Sequence, residues 1–141
     1  MTTSPLADAR VRSAAELTDR WSTLLGPDGF GARSLWLTWF DADGRQLPIV
    51  VPVDDLPALP EAALLVGLRE VHGSVVDDQL GGAGHLALAL CRPGEPVVTA
   101  EDEVWAGELR SVLDDDAVPG TWSLHLAAAG SVLPLVDRWG R

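Results

Sequence analysis

A chain of 141 residues with 47% apolar and 22% charged residues is sized and composed for one folded domain, which excludes a wholly disordered chain. Its 21 acidic residues face 10 basic ones, giving a formal net charge of −11. Every basic residue is an Arg, and the ten are scattered singly, so the clustered cation surface that a phosphate backbone needs is missing and nucleic acid is not an expected partner.

The absence of Lys also removes Schiff-base chemistry and a phosphate-loop lysine. The single cysteine, Cys91, rules out an internal disulfide and a multi-cysteine zinc site. No apolar stretch reaches the ~20 residues of a membrane span, and residues 1–12 lack the apolar core of a signal peptide. A cytoplasmic protein with no membrane partner is the expectation. The Arg-for-Lys bias, with abundant Ala, Gly, Val, Leu and Asp, points to a GC-rich bacterial source.

Residues 1–12 read as a flexible tail, with a single globular domain over 13–141. Ser13 followed by Glu16 forms a helix capping box, and Leu17, Trp21, Leu24 and Leu25 fall on one helical face before Gly26-Pro27 ends it. Residues 34–40 alternate as a strand: Leu35, Leu37 and Trp39 to one side, Trp36, Thr38 and Phe40 to the other. Asp41-Ala42-Asp43-Gly44 is a turn. A second strand follows over 46–53, and Pro48 and Pro52 make it an edge strand.

After the Pro-rich connection 54–60, Leu64, Leu65, Leu68, Val71, Val75, Val76 and Leu80 recur with a helical period. Pro60 suits the first turn, and Gly81-Gly82-Ala83-Gly84 stops the element. Residues 85–91 form a buried strand, large Leu86, Leu88 and Leu90 on one face and small Ala87, Ala89 and Cys91 on the other. Thr99 with Asp102 caps a third helix, whose apolar stripe is Val104, Trp105, Leu109, Val112 and Leu113. Two strands close the chain, 122–126 and 132–136, turned at Gly130. The order α-β-β-α-β-α-β-β implies an α/β (α+β) domain with a mixed central sheet of about five strands and helices on both faces.

Candidate chemistry is sparse. His72, His85 and His125 form no His-x-His or His-Glu-x-x-His pattern, so no local metal pair exists and no cofactor is expected. Cys91 could pair with His85 or His125 as a nucleophile, but a reactive thiol needs a helix N-terminus or a cation beside it, and a strand Cys behaves as a small hydrophobe. The acidic groups Asp54-Asp55, Asp77-Asp78 and 114–116 fall at element ends, where Asp forms turns. Five of the six Trp fall on apolar faces; Trp139, outside any periodic pattern, is expected to dock on the domain or mark an interface.

The run Leu90-Cys91-Arg92-Pro93-Gly94-Glu95-Pro96-Val97-Val98-Thr99-Ala100-Glu101-Asp102 sits where a buried strand passes through a Pro-Gly loop into a capped helix. With the preceding strand, Asp41–Gly44 turn, strand and helix, this layout resembles the RadC-type branch of the JAB/MPN metalloprotease-like family over residues 35–137. In that family the strand ends in His-x-His-Pro, a Ser-x-x-Asp opens the helix, zinc is held by both His and the Asp, and an earlier Glu is the general base. Here Pro93 and Asp102 match and Thr99 replaces the Ser, but the loop is one residue shorter. Leu90 and Arg92 stand in the histidine positions, and residues 46–53 contain no Glu.

The resemblance therefore implies the fold without the hydrolase. A guanidinium stays protonated and repels a metal cation. Arg92 and Asp102 are expected to pair across the vacated cleft, and Arg92, Thr99, Asp102 and Cys91 are the candidate ligand-binding residues. The expected function is a non-catalytic binding or scaffold domain with a protein partner or self-association. The alternative is a small enzyme or small-ligand-binding protein using that cleft.

Overall fold

In the computed structural model, residues 10–139 are described. The elements are α1 (Ala14–Leu25), β1 (Ser34–Phe40), β2 (Gln46–Val53), α2 (Ala62–Gln79), β3 (His85–Cys91), α3 (Ala100–Leu113), β4 (Thr121–Ala128) and β5 (Ser131–Val136). This is the order read from the sequence. The sheet runs β2-β1-β3-β4-β5. Only β3 and β4 are parallel, joined by the α3 crossover; the other three pairings are antiparallel.

The side-chain alternation of β3 explains why it lies in the middle. Leu86, Leu88 and Leu90 pack with Leu35, Leu37 and Trp39 of β1 and Trp122 and Leu124 of β4 beneath α2 and α3. Ala87, Ala89 and Cys91 face the opposite way, toward Leu17 and Trp21 of α1. Small residues there let one helix sit close to the sheet, while leucines on the other side fill the space under two helices. The outcome is three layers, with each fully buried leucine contributing roughly 1.5–3 kcal/mol of burial free energy.

Both borders of the sheet carry proline: Pro48 and Pro52 in β2, Pro134 in β5. A proline has no amide hydrogen, so each removes a donor from the rim of the sheet. Ser13 accepts from the Glu16 amide and Thr99 from the Asp102 amide, which confirms both helix starts. Gly73 does not interrupt α2.

Three expectations change in detail. Residues 1–9 of the tail read over 1–12 lie outside the described residues, but Val11 within it is buried against α1 and Phe40, and its amide donates to the Gly44 carbonyl at 2.8 Å. In α2 the inward position at the middle belongs to His72, and Val71 is exposed. His72 is neutral there, because Trp39 Nε1 donates to its Nδ1 at 3.1 Å and Nε2 is left to donate to the Pro119 carbonyl at 2.9 Å. In α3, Val104 faces out and Asp102 and Ala106 face in.

Gly44 shows how tightly the entry segment is held. Its φ is +85°, and a Cβ built there would lie 2.2 Å from the Val11 carbonyl oxygen. Gly44→Ala is expected to cost more than the ~1–2 kcal/mol of a left-handed φ alone, since the added Cβ also meets backbone. Urea unfolding of this variant beside Gly81→Ala, which has a positive φ but open space, separates the clash from the dihedral strain.

Candidate functional site

The C-terminal end of β3 delivers Arg92 into the mouth of the loop that leads to α3, and the loop closes around it. Arg92 Nε donates to Asp102 Oδ1 at 2.8 Å and Nη2 to Oδ2 at 2.7 Å, a bidentate pair. Nη1 donates to the carbonyls of Pro93 and Glu95 at 3.0 and 3.1 Å, and Nη2 to that of Val97 at 2.7 Å. A guanidinium has five N–H donors, and all five are in use. The expected Arg92–Asp102 pair is therefore present, buried inside a curled loop.

Asp102 has a second duty. Its Oδ2 accepts from the Thr99 amide at 2.9 Å while the Thr99 hydroxyl accepts from the Asp102 amide at 3.2 Å, completing the capping box. Burial alone would push the Asp102 carboxyl up, but hydrogen bonds from Arg92 and Thr99 outweigh it and hold it below the usual carboxylate range. The same pairing pushes Arg92 above its ordinary value. The loop is thus ordered from inside by charge-assisted bonds.

Cys91 belongs to the core. It is fully buried, its Sγ lies 3.8 Å from the Ala89 carbonyl oxygen, and burial pushes the thiol up to about 12, against a smaller lowering by Ser34. Such a thiol stays protonated and does not act as a nucleophile. His85 lies at the other end of β3, so the two do not meet. His125 lies on the same sheet face as His85, and both are buried.

His85 Nδ1 and Nε2 lie 2.7 and 2.8 Å from the hydroxyls of Thr121 and Ser123. His125 Nε2 lies 2.9 Å from the Thr18 hydroxyl. Thr18 donates to the Ala14 carbonyl, so it accepts from His125 Nε2–H, and His125 Nδ1 has no partner among the described residues. No group of three or more His, Cys, Asp or Glu is placed to hold a metal ion among the described residues. Leu90 is wholly buried in the core below the two crossover helices.

What the clamp displays is apolar. Val97 is 60% exposed and Val98 38%, both on the loop that Arg92 orders, and Val104 on the first turns of α3 is 42% exposed. Exposed Glu95, Glu101 and Glu103 are their neighbours along the chain, and Glu101 pairs with Arg33 at 3.8 Å. Sequence reading missed this surface because it treated 95–98 only as a connection. The visible signal was a Val-Val pair between proline and a helix cap, outside any periodic pattern.

Comparison with family models, with curated proteins and with solved structures finds no match for this chain. No helix is long and apolar enough to cross a membrane among the described residues.

Proposed function

We propose that this chain is a non-catalytic binding domain, an adaptor or scaffold that docks a protein partner on the Arg92-ordered loop and the start of α3. The observation that carries this is the saturated guanidinium. All five donors of Arg92 are committed to fixing the loop that presents Val97 and Val98. An ordered apolar display loses little conformational entropy on binding, which is the physical basis of preorganised recognition. The exposed carboxylates of Glu95 and Glu103, its neighbours along the chain, favour a partner with an apolar centre and a basic rim. They also disfavour a second copy of a chain with net charge −11.

The JAB/MPN-like reading accords with this function, since the two family ligand positions hold a core leucine and a clamped arginine. We extend the reading to the cytoplasm, because the one cysteine is buried and unpaired. Val97→Glu places a charge at the centre of the display while leaving the clamp intact. In cells, a photo-crosslinking residue at position 98 is expected to trap a discrete protein adduct that Val97→Glu abolishes. The adaptor reading fails if the adduct is unaffected by Val97→Glu, or if the same adducts arise from a control position on α2. An adduct at twice the mass of the chain would assign the surface to self-association instead.

A further inference from the structure

A second feature lies at the opposite end of β3. A cavity of about 420 Å³ opens there between the entry segment, the β1–β2 turn, the starts of β3 and β4, and Trp139. Main-chain hydrogen bonds tie its framework together. Asp41 Oδ1 accepts from the amides of Asp43 and Arg45, both at 2.9 Å, which locks the turn. The Val11 amide bonds to Gly44 and the Thr121 amide to Gly84, joining entry segment to turn and β4 to β3. Trp139 meets the rings of His85 and Phe40 edge-on, at centroid distances of 4.6 and 5.2 Å.

The lining is mixed. Trp139 supplies an apolar indole wall, Thr121 a hydroxyl, Arg12 a guanidinium and Asp41 and Asp43 two carboxylates. Neither Arg12 nor either Asp takes part in an ion pair among the described residues. A simple anion would meet two carboxylates in a strongly acidic protein, and a simple cation would meet Arg12. A neutral ligand bearing several hydroxyls suits both signs at once: it donates to carboxylates, accepts from the guanidinium, and lays its C–H surface on the indole.

We propose that this cavity binds a small neutral polyhydroxylated molecule of mono- or disaccharide size, with Trp139 as its apolar wall and Arg12, Asp41 and Asp43 as its hydrogen-bonding rim. The proposal is independent of the docking loop, which lies at the other end of the strand.

The test is a titration of the 15N-labelled full chain with glucose, mannose, galactose, myo-inositol and maltose, with choline and acetate as charged comparators. The Trp139 indole N–H resonance, assigned through Trp139→Phe, and the amides of Gly44 and Gly84 report on the cavity. At least one neutral polyol is expected to shift them saturably, with a Kd on the order of 1 mM. Arg12→Gln and Asp43→Asn, exposed positions that leave the core untouched, should each weaken that binding about threefold or more. Shifts with choline or acetate alone, no shift with any probe, or polyol shifts unchanged in both rim variants would overturn the proposal.

Discussion

Replacing Arg92 with methionine is expected to destabilise the domain by about 3–5 kcal/mol, a large share of the stability of a domain this size. The guanidinium is 4% exposed and Asp102 fully buried, so the variant leaves a carboxylate in the interior without its counter-charge. The loss does not measure the worth of the pair. Making Asp102 apolar as well, in Arg92→Met with Asp102→Leu, is expected to restore much of the stability, because two desolvated charges disappear together. The remaining deficit is the capping bond to Thr99, about 1 kcal/mol.

Urea unfolding of the two single variants and the double gives this coupling directly. Additive losses would show that Arg92 and Asp102 do not act as a pair. The carbonyls of Pro93, Glu95 and Val97 belong to exposed residues, so water can replace Arg92 there. The loop would then lose its order before the fold does. Proteolytic nicking between residues 93 and 98 in the double variant, absent from the parent, is the corresponding readout.

The second large effect is a loss of stability in mild acid. Burial pushes His85 down to about 3, helped by repulsion from His125 and His72, and burial pushes His125 down to about 4 against the opposing charge of Asp137. His72 moves in the same direction, again through burial, although its bond to the Pro119 carbonyl opposes the shift. In the unfolded chain a histidine titrates near the ordinary 6.5.

Above that value all three are neutral in both states, and the fold has its full stability. As pH falls below it the unfolded chain takes up protons that the folded chain refuses, so each histidine removes up to ~1.4 kcal/mol per pH unit until its folded value is reached. Asp102 enters only lower. Its folded value lies below 3.8, so its contribution is present above that value and is lost as pH falls further. Urea midpoints should therefore fall steeply between pH 6.5 and about 4, a window set by histidine and not by this carboxylate.

His125→Gln should flatten that slope by the share of one proton. A chain equally stable across this window, or a slope unchanged by the substitution, would contradict the assignment. The geometry gives the cause. Protonating His125 adds a second N–H at Nδ1, which has no partner among the described residues, and protonating His72 turns Nδ1 against the Trp39 N–H that it accepts.

The caps at Ser13 and Thr99, the demotion of β2 by Pro48 and Pro52, and the two-sided character of β3 all follow from local chemistry, and local chemistry is written in short windows. Of the two readings left open for Trp139, docking on the domain or marking an interface, its ring contacts with His85 and Phe40 show the first. What escaped were facts about separate windows meeting. The rotation of α2 that turns His72 inward is decided by Trp39 and Pro119, 33 and 47 residues away. Nothing near His125 in sequence announces that Thr18 of α1 lies within hydrogen-bond distance of it. Arg92 and Asp102 were paired in advance, yet the closing of three carbonyls around the guanidinium depends on the path of a loop with no periodic pattern.

The prolines on both borders of the sheet bear on how this molecule meets others. A foreign strand joining a sheet needs an uninterrupted ladder of main-chain donors and acceptors, and here both flanks are broken, at Pro48 and Pro52 on one and Pro134 on the other. Recognition by backbone zippering is thereby discouraged, along with the runaway stacking that produces fibrils. A protein that docks on this one through a sheet border has to do so by side chains.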